Sequence, residues 1–397
     1  MAARLAVATQ SAPLSSPVTF AAPDISSAEI DAVLATLRSG WLTTGPRVRE
    51  FERAFANYVG VPHAIAVNSC TAALHLALIA TGIGPGDEVV TTPMTFAATA
   101  NVIVHAGATP RFADIDASTW NLSPSAAAAA VTQRTRAIVP VHYAGRPVDV
   151  AAFRDLGQRG GLLVIEDAAH CVEGRSAGQK IGATGDLTCF SFYATKNLTT
   201  GEGGMLTTSF DEWASIARVA SLHGMSRDGW ARYQHGGSSQ YDVVMPGFKY
   251  NMMDIQAAIG IHQLRRIDAM LRRRETIWRH YEAAFADLPI TRPAPVADGD
   301  IHARHLYTVL VGPDSGWRRD DLADALREDG ISTSIHFRAL HLHSYYADRF
   351  GYRHGMFPNA ERVSAETLSL PLSPTLTDGD VDRVITAVRR RVLRDAR

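Results

Sequence analysis

Short apolar runs alternate with stretches of helix length between residues 64 and 207. In chain order the strand candidates are AIAVNS, EVVTTP, TPRFADI, AIVPVHY, LLVIED, TCFSFYA and GMLTT, and helical patterns such as TAALHLALIATG and TFAATANVIVHAG lie between them. This alternation is typical of a mostly parallel sheet that is covered by helices on both faces. The pattern therefore predicts an α/β fold with a large, mostly parallel sheet of seven strands.

The pattern changes after the segment GFKYNMMDIQAAIG. A long arginine-rich helical stretch runs from about Asp254 to Ala286, and Leu288 and Pro289 end it. Beyond this point LYTVLV and ISTSIHF are predicted strands, DDLADALREDG is a predicted helix, and a last helix begins near Asp378. These elements predict a second, smaller α/β domain at the C-terminus.

The length of 397 residues exceeds what a single hydrophobic core usually supports. We therefore divide the chain into a flexible N-terminal tail over residues 1–19, a large domain over residues 20–265 and a small C-terminal domain over residues 266–397. Hydrophobic residues make up 46% of the chain and charged residues 20%, so a substantial core can form. A folded protein is expected rather than a disordered one.

Charge and cysteine content exclude several classes of partner. The 39 basic and 40 acidic residues almost cancel, so we expect neither nucleic acid nor a membrane surface as a partner. No apolar run approaches the roughly 18 to 20 residues that span a bilayer. The three cysteines form no CxxC pair, which argues against a disulfide framework or a cysteine zinc site and favours the cytoplasm.

Two glycine-rich segments do not match nucleotide-binding motifs. The segment GIGPGDEVV precedes a strand instead of following one, and the cluster from Gly201 to Gly204 is not followed by Gly-Lys-Ser/Thr. Three histidines, His336, His341 and His343, lie close in sequence, but no carboxylate or cysteine spacing completes a metal site. We therefore predict no metal ion.

Three other segments place polar groups at the ends of predicted strands. In NSCTAALHLAL, the hydroxyls of Ser69 and Thr71 begin a helix whose N-terminus could bind a phosphate, although such residues are also common helix caps. LLVIEDAAH ends in Asp167, and CFSFYATKN carries Ser191 and Lys196. Lysine occurs at only three positions among the 39 basic residues, and arginine does not normally form an imine.

Together these groups meet the needs of pyridoxal 5′-phosphate. Lys196 would hold the aldehyde as an imine, and Asp167 would keep the pyridine nitrogen protonated so that the ring withdraws electrons. The other expected contacts are Phe96 stacked on the ring, His170 near the ring oxygen, and Thr71 with Ser191 at the phosphate.

At this point the sequence resembles the DegT-type nucleotide-sugar aminotransferases, which are pyridoxal-phosphate enzymes of the aspartate-aminotransferase fold (fold type I). The resemblance runs from about Pro23 to the C-terminus. It is carried, in the family order, by SGWLTTGP, NSCTAALHLAL, VHYAG, EDAAH, FSFYATKN, GEGG and GFKYNMMDIQAAI. An ordered set of motifs over nearly the whole chain is much more specific than any one of them.

The resemblance implies a role for each matching residue. Lys196 and Asp167 are the catalytic pair, the Cys70-Thr71 turn lies at the phosphate, and Asn251 contacts the phosphate from a neighbouring subunit. A homodimer with shared active sites is therefore implied. The chain departs from many relatives, which have glutamine where His170 stands and glycine where Cys70 stands. Phe96 and Ser191 match the family's stacking residue and a phosphate ligand.

The loops HFRALHLHSYYADRF and SGWLTTGP are most similar to the aminotransferase that makes UDP-4-amino-4-deoxy-L-arabinose and to related C4 enzymes. His336 and Thr44 are therefore candidate sugar contacts. The implied reaction moves the amino group of L-glutamate to the C4 ketone of a dTDP- or UDP-linked keto-deoxy sugar. Lys196 favours transamination, because a dehydrating branch of the family has histidine there. The alternatives are a C3 aminotransferase, a non-catalytic sugar-nucleotide-binding regulator and a nicotinamide-dependent oxidoreductase; the missing glycine fingerprint disfavours the last.

Overall fold

A sheet of seven strands lies at the centre of the structure, a computed structural model that describes residues 16–226 and 241–394. Within these residues the strands are β1 (His63–Val67), β2 (Glu88–Thr91), β3 (Thr109–Phe112), β4 (Thr135–Val139), β5 (Leu163–Asp167), β6 (Arg175–Ser176), β7 (Gln179–Lys180), β8 (Leu187–Ser191), β9 (Gly204–Thr208), β10 (Tyr307–Leu310) and β11 (Thr367–Leu370). The seven segments predicted as strands of the large sheet all contribute to it.

The order of the strands in the large sheet is β1-β9-β8-β5-β4-β2-β3. Strand β9 runs antiparallel to both of its neighbours, and the pairs from β8 through β3 are all parallel. The predicted α/β fold with a mostly parallel seven-stranded sheet is therefore confirmed. Because the parallel strands point the same way, their carboxyl ends meet at one edge, where open sheets of this kind bind ligands.

Helices cover both faces of this sheet. Within the described residues they are α1 (Ser27–Ser39), α2 (Pro46–Val59), α3 (Cys70–Ala80), α4 (Ala97–His105), α5 (Pro124–Ala130), α6 (Val150–Gly160), α7 (Asp211–Ala220), α8 (Asp254–Ala284), α9 (Arg319–Glu328), α10 (Ser344–Phe350), α11 (Pro358–Glu366) and α12 (Asp378–Arg394). None of these described helices is long and apolar enough to cross a membrane.

The two faces have separate apolar cores. On one face, Phe51 and Phe55 of α2 pack with Phe190 of β8 and with the first half of α8. On the other face, α3 lies between the sheet and helices α4 and α7, and it is therefore apolar on nearly every side. Helix α2 begins with Pro46 at its first turn, and Gly60 ends it with a φ of 92°, a conformation that favours glycine.

The C-terminal elements surround a third core. Strands β10 and β11 pair antiparallel and pack with α9, α12 and the second half of α8. The predicted strand in ISTSIHF is wrong, because this segment makes only isolated bridges, from Ile331 to Val18 and from Ser334 to Ser369. The fully buried segment β11, which the apolar pattern did not single out, takes the place beside β10 instead.

The boundaries that we assigned to the tail and the two domains stay predictions. Helix α8 continues without a break from Asp254 to Ala284, across the boundary between residues 265 and 266. Residues 1–15 of the expected tail and residues 395–397 of the C-terminal domain lie outside the described residues. Val18 is only 2% exposed, and its N–H donates a hydrogen bond of 2.8 Å to the carbonyl of Gly330.

Gly204 is where β9 passes closest to the start of α3. A Cβ atom at this position would lie 2.4 Å from the carbonyl carbon of Ser69 and 2.6 Å from the amide nitrogen of Cys70. These are backbone atoms, so they cannot rotate away as a side chain would. The sequence GEGG thus allows a strand and a helix N-terminus to meet without a side chain between them.

We expect the Gly204→Ala variant to be less stable than the parent by about 1–3 kcal/mol, because the added methyl group overpacks a backbone contact. Urea unfolding at equilibrium measures the difference. Gly84→Ala is the matched control, since its Cβ would meet only the carbonyl of Ala106 at 3.6 Å. Equal stability of the two variants would contradict the steric argument.

Candidate active site

A cavity of about 620 Å³ opens at the carboxyl edge of the parallel strands. Asp167 is the last residue of β5 and Ser191 is the last residue of β8, so both reach the cavity from adjacent strands. The structure brings eight of the ten residues predicted for the site to this cavity: Cys70, Thr71, Phe96, Asp167, His170, Ser191, Lys196 and His336. Only Thr44 and Asn251, among the predicted residues, do not line it.

The start of α3 brings backbone amides to the cavity. The Oγ of Ser69 caps the helix by accepting a hydrogen bond of 3.1 Å from the Ala72 amide. The amides of Cys70 and Thr71 precede the first intrahelical bonds, so they remain available to a ligand. Burial raises the pKa of the Cys70 thiol well above its usual value, so this thiol adds no negative charge at the helix N-terminus. Ser191 adds a hydroxyl donor nearby.

Asp167 is buried and has a partner on each carboxylate oxygen. The hydroxyl of Thr99 donates to Oδ2 at 2.7 Å, and the amide of Ala169 donates to Oδ1 at 3.1 Å. Burial raises the pKa of this carboxyl group, while the two hydrogen bonds and the charge of Lys196 oppose the rise. The carboxylate can therefore accept a further proton donor, which suits the protonated ring nitrogen of the predicted cofactor.

Lys196 lies in the turn that follows β8. Its amide donates a hydrogen bond of 2.9 Å to the carbonyl of Tyr193, which fixes the turn. Burial lowers the pKa of the Lys196 amine to about 8, although Cys70 and Asp167 act in the opposite direction. An amine with this pKa is unprotonated in a useful fraction near neutral pH, so it can act as a nucleophile and as a base.

Three histidines surround the lysine. Nδ1 of His170 accepts a hydrogen bond of 3.2 Å from the amide of Ala144, so the neutral ring carries its proton on Nε2. The ring of His305 lies 4.4 Å from that of His170. Burial lowers the pKa of both rings well below the usual value and that of His336 to about 4. These rings are therefore neutral hydrogen-bonding groups at physiological pH.

A chain of buried polar groups supports the lysine turn. The amide nitrogen of Asn197 donates to a Glu173 carboxylate oxygen and to the carbonyl of Ala303, each at 2.8 Å. The side-chain oxygen of Asn197 is thus the acceptor for Nδ1 of His305 at 3.0 Å, which places the His305 proton on Nδ1. Glu173 in turn pairs with the buried guanidinium of Arg274. The residue next to Lys196 is therefore tied to α8.

Phe96 lines the cavity with 65% of its surface exposed, so its ring is accessible for stacking. Its ring centroid is 6.2 Å from that of Phe337.

His336, His341 and His343 were considered above as metal ligands. Of these, His341 pairs with Glu361 at 2.9 Å. Among residues 16–226 and 241–394, no group of three or more histidine, cysteine, aspartate or glutamate side chains is arranged to hold a metal ion.

Thr44 and Asn251 lie together at a separate surface cavity of about 290 Å³. The Asn251 side-chain nitrogen donates to the Thr44 hydroxyl at 2.7 Å, and this hydroxyl donates to the carbonyl of Met252 at 2.6 Å. Within one chain they do not share the cavity of Lys196. The predicted contact of Asn251 with the phosphate in a neighbouring subunit and the predicted contact of Thr44 with the sugar stay predictions.

The residues of the cavity fit pyridoxal phosphate by the chemistry of their donors. The start of α3 and Ser191 offer amide and hydroxyl donors for a phosphate, and the thiol among them is uncharged. Asp167 offers an acceptor for a protonated ring nitrogen, and Lys196 offers the amine for the aldehyde. The absence of a Cβ at Gly204 lets the strand approach this helix N-terminus.

Comparison with known proteins decides the family. The model of the DegT/DnrJ/EryC1/StrS aminotransferase family matches residues 23–389. The chain belongs to this family. It is 53% identical over 372 residues to the spore coat polysaccharide biosynthesis protein SpsC of Bacillus subtilis (strain 168), a match that covers 93% of this chain and 96% of SpsC.

Two solved structures extend the comparison. Spr1654 of Streptococcus pneumoniae, named as a sugar aminotransferase and solved in PLP and PMP forms, has a TM-score of 0.90 at 34% identity; its PLP form covers 96% of this chain and 99% of Spr1654. Helicobacter pylori PseC, an aminotransferase involved in the biosynthesis of pseudoaminic acid, has a TM-score of 0.88 at 28% identity. This match covers 95% of this chain and 100% of PseC.

These findings confirm the predicted fold of type I, the aminotransferase class and, for this family, pyridoxal phosphate as the cofactor. The chain is accordingly a sugar aminotransferase of the DegT family. The finer resemblance to the C4 enzyme of the 4-amino-4-deoxy-L-arabinose pathway is a matter for proposal, as are the nucleotide and the position of amination.

Sequence reasoning missed several residues that line or support the cavity. Thr99 donates a hydrogen bond to Asp167, the ring of His305 lies against that of His170 at a tilt, and the ring of Phe337 lies near those of Phe96 and His170. The TFAAT segment did carry a signal for Thr99, since Thr95 and Thr99 stand four residues apart where a helix begins. His305 carried none, because it is far in sequence from His170 and Asn197. Phe337 follows His336 directly, but its contacts with Phe96 and His170 are likewise distant in sequence.

Glu173→Gln should lower the free energy of unfolding by about 3–5 kcal/mol, because it leaves the buried guanidinium of Arg274 without a counter-charge. Asp155→Asn is the control, since it breaks an ion pair with Arg159 whose two side chains are 60% and 70% exposed. We expect the control to cost less than about 0.5 kcal/mol. Urea unfolding of both variants measures the contrast, and similar losses would contradict the role given to burial.

The reaction of the cofactor-free protein with pyridoxal phosphate should accelerate as the pH rises, with a midpoint near pH 8. The reason is that the pKa of Lys196 is lowered to about 8, and only the unprotonated amine attacks the aldehyde. Stopped-flow absorbance gives the rate at each pH, and Lys196→Arg should show no covalent attachment. A midpoint near the ordinary lysine value of 10.5 would contradict the effect of burial.

Proposed function

We propose that this sugar aminotransferase takes the amino group of L-glutamate and transfers it to the C4 ketone of a dTDP- or UDP-linked keto-deoxy sugar. The observation that carries the proposal is the cavity itself, where Lys196, with a pKa lowered to about 8, lies with Asp167 and the start of α3. The family supports the transfer of an amino group. The loops that resemble C4 enzymes support the position of the ketone.

Different residues of this cavity bind different parts of the cofactor. The amides at the start of α3 and the hydroxyl of Ser191 bind the cofactor's phosphate, and Phe96 covers its ring. Asp167 keeps a proton on the ring nitrogen. When bound, the cofactor supplies an electron sink for the carbon that loses or gains the amino group.

Lys196 performs the proton transfers in both directions. With glutamate bound, the free amine accepts the proton from the carbon that carries the amino group, since its lowered pKa makes it a base near neutral pH. With the keto sugar bound, the ammonium returns a proton to the sugar carbon that receives the nitrogen. The neutral His170 offers its Nε2–H to an oxygen acceptor beside the ring.

We propose from its position in the cavity that His336 contacts the sugar. His336 lines the cavity, and its Nδ1 lies 2.9 Å from the hydroxyl of Ser369, which fixes the ring. Thr44 lies outside the cavity beside Asn251. We propose that Thr44 and Asn251 reach the active site of a neighbouring subunit in a cytoplasmic homodimer.

Two alternatives have distinct consequences. Amination at C3 of a 3-keto sugar would use the same cavity and the same lysine, so only the product's structure separates it from C4. A non-catalytic regulator that binds a sugar nucleotide would not need an amine with a lowered pKa beside a buried carboxylate, and the presence of both groups favours an enzyme.

Incubation of the cofactor-loaded protein with glutamate and a panel of dTDP- and UDP-linked 4-keto and 3-keto sugars tests the proposal. We expect the visible absorption to bleach with glutamate and a 4-amino sugar to form, as NMR of the product would show. Lys196→Arg should abolish turnover, and Asp167→Asn should fold but lose most activity because the electron sink is weakened.

The matched control is Lys180→Arg, because Lys180 lies over the ring of Tyr58, outside the cavity. This variant should keep its activity. Multiple turnover by Lys196→Arg would overturn the catalytic assignment. A product aminated at C3 would overturn the regiochemistry alone.

A further inference from the structure

Two buried threonines stand in line behind the carboxylate of Asp167. The hydroxyl of Thr95 lies 2.8 Å from that of Thr99, and the Thr99 hydroxyl lies 2.7 Å from Oδ2 of Asp167. Each of the three side chains is less than 5% exposed. Thr99 is in the first turn of α4, and Thr95 is four residues before it, just outside the helix. The three side chains also line the cavity.

The chemistry of the groups fixes the direction of the protons in this line. An ionised carboxylate only accepts hydrogen bonds, so Thr99 must donate its one hydroxyl proton to Asp167. Thr99 then has only lone pairs left for Thr95, and Thr95 must donate to it. Hydrogen bonds that follow one another in this way strengthen each other in a medium of low dielectric.

The position of Thr99 is not explained by packing alone. A buried threonine in a helix can bond the carbonyl three or four residues before it, and valine has nearly the same shape without a polar atom to satisfy. The hydroxyl of Thr99 instead donates its hydrogen bond to the carboxylate of Asp167, which belongs to another element, β5. A hydrogen bond to a charged group is stronger than one between neutral groups.

We propose that Thr99, supported by Thr95, is a positioning residue that holds Asp167 ionised and oriented, so that the proton stays on the ring nitrogen of the bound cofactor. The inference rests on the proposed function, because it concerns the cofactor that the transfer requires. It assigns a role at the site to Thr99 of α4 and to Thr95 of the loop before it.

The physical basis is a competition for one proton between Asp167 and the ring nitrogen. Burial favours the protonated carboxyl group, whereas each donor to the carboxylate favours the ionised form. The other titratable groups that act on Asp167 are Lys196 and His142, and both stabilise the ionised form. The nearby thiols of Cys70 and Cys189 have pKa values raised well above the usual value by burial, so they remain uncharged.

Removing the Thr99 donor should therefore move the shared proton toward Asp167. With less positive charge on the ring nitrogen, the electron sink weakens and the proton transfer from glutamate slows. A strong hydrogen bond to a charged group corresponds to a loss on the order of tenfold in rate when it is removed. The KM for glutamate should change little, because Thr99 contacts Asp167 and is not needed to bind the donor.

Four variants test this inference in protein loaded with nitrogen-15-labelled pyridoxal phosphate: Thr99→Val, Thr99→Ser, Thr95→Val and Thr91→Val. Thr91→Val is the matched control, since Thr91 is buried and donates to the carbonyl of Val139 at 2.8 Å but does not line the cavity. The measurements are the ring-nitrogen chemical shift as a function of pH and the single-turnover rate with glutamate.

We expect Thr99→Val to move the nitrogen signal toward that of the unprotonated ring and to slow the half-reaction on the order of tenfold. Thr95→Val should change both in the same direction by less, and Thr99→Ser should restore both because it keeps the hydroxyl. Thr91→Val should leave both unchanged.

Three results would overturn the inference: an unchanged nitrogen signal in Thr99→Val, a failure of Thr99→Ser to restore it, or an equal change in Thr91→Val. Each presupposes that the parent protein binds the cofactor with a protonated ring and reacts with glutamate. If the parent itself fails in these respects, the proposed function is wrong, so the two failures are distinguishable.

Discussion

Asp167 and Lys196 are opposite charges that the fold removes from water at one edge of the sheet, and the rest of the site depends on their balance. Burial acts against both charges, since it raises the pKa of the carboxyl group and lowers that of the amine. Each charge stabilises the other, and the hydroxyl of Thr99 and the amide of Ala169 add to the stability of the carboxylate. The outcome is a carboxylate that can remain ionised beside an amine that is easily deprotonated.

The sheet provides this balance through its geometry. Strands β5 and β8 are adjacent and parallel, and both are buried along nearly their whole length. Their polar last residues therefore emerge side by side at the same edge, where water is partly excluded. Gly204, on the antiparallel strand β9, then allows the N-terminus of α3 to approach the same edge, so that positive helix-end amides lie beside the two charges. The helix-end amides, the carboxylate of Asp167 and the amine of Lys196 thus come from three separate segments of the chain.

Sequence reasoning found the parts of the fold that local pattern controls. The seven strands were visible because each is a short apolar run, and Asp167, Ser191 and Lys196 were visible because each follows such a run. The ISTSIHF strand was wrongly predicted, since pattern alone does not show which segment pairs with β10, and β11 has that place. His305 was invisible for a related reason: its contact with Asn197 spans 108 residues, and no local spacing records it.

The charges of the cavity place a constraint on the proposed substrate. Among the described lining residues Lys196 is the one cationic side chain, because the three histidines there are neutral and no arginine takes part. A nucleotide-linked sugar carries a diphosphate, which needs cationic or amide donors of its own. Since we propose that the amides at the start of α3 bind the cofactor's phosphate, the diphosphate of such a substrate would have to be bound beyond the cavity. The surface that holds Asn251 and Thr44 lies apart from the cavity within one chain and also bears Arg49 and Arg218, which share the carboxylate of Glu52. Two guanidinium groups against one carboxylate leave a net positive charge, so a neighbouring subunit that presents this surface would bring positive charge toward the diphosphate. This agrees with the proposed shared active sites.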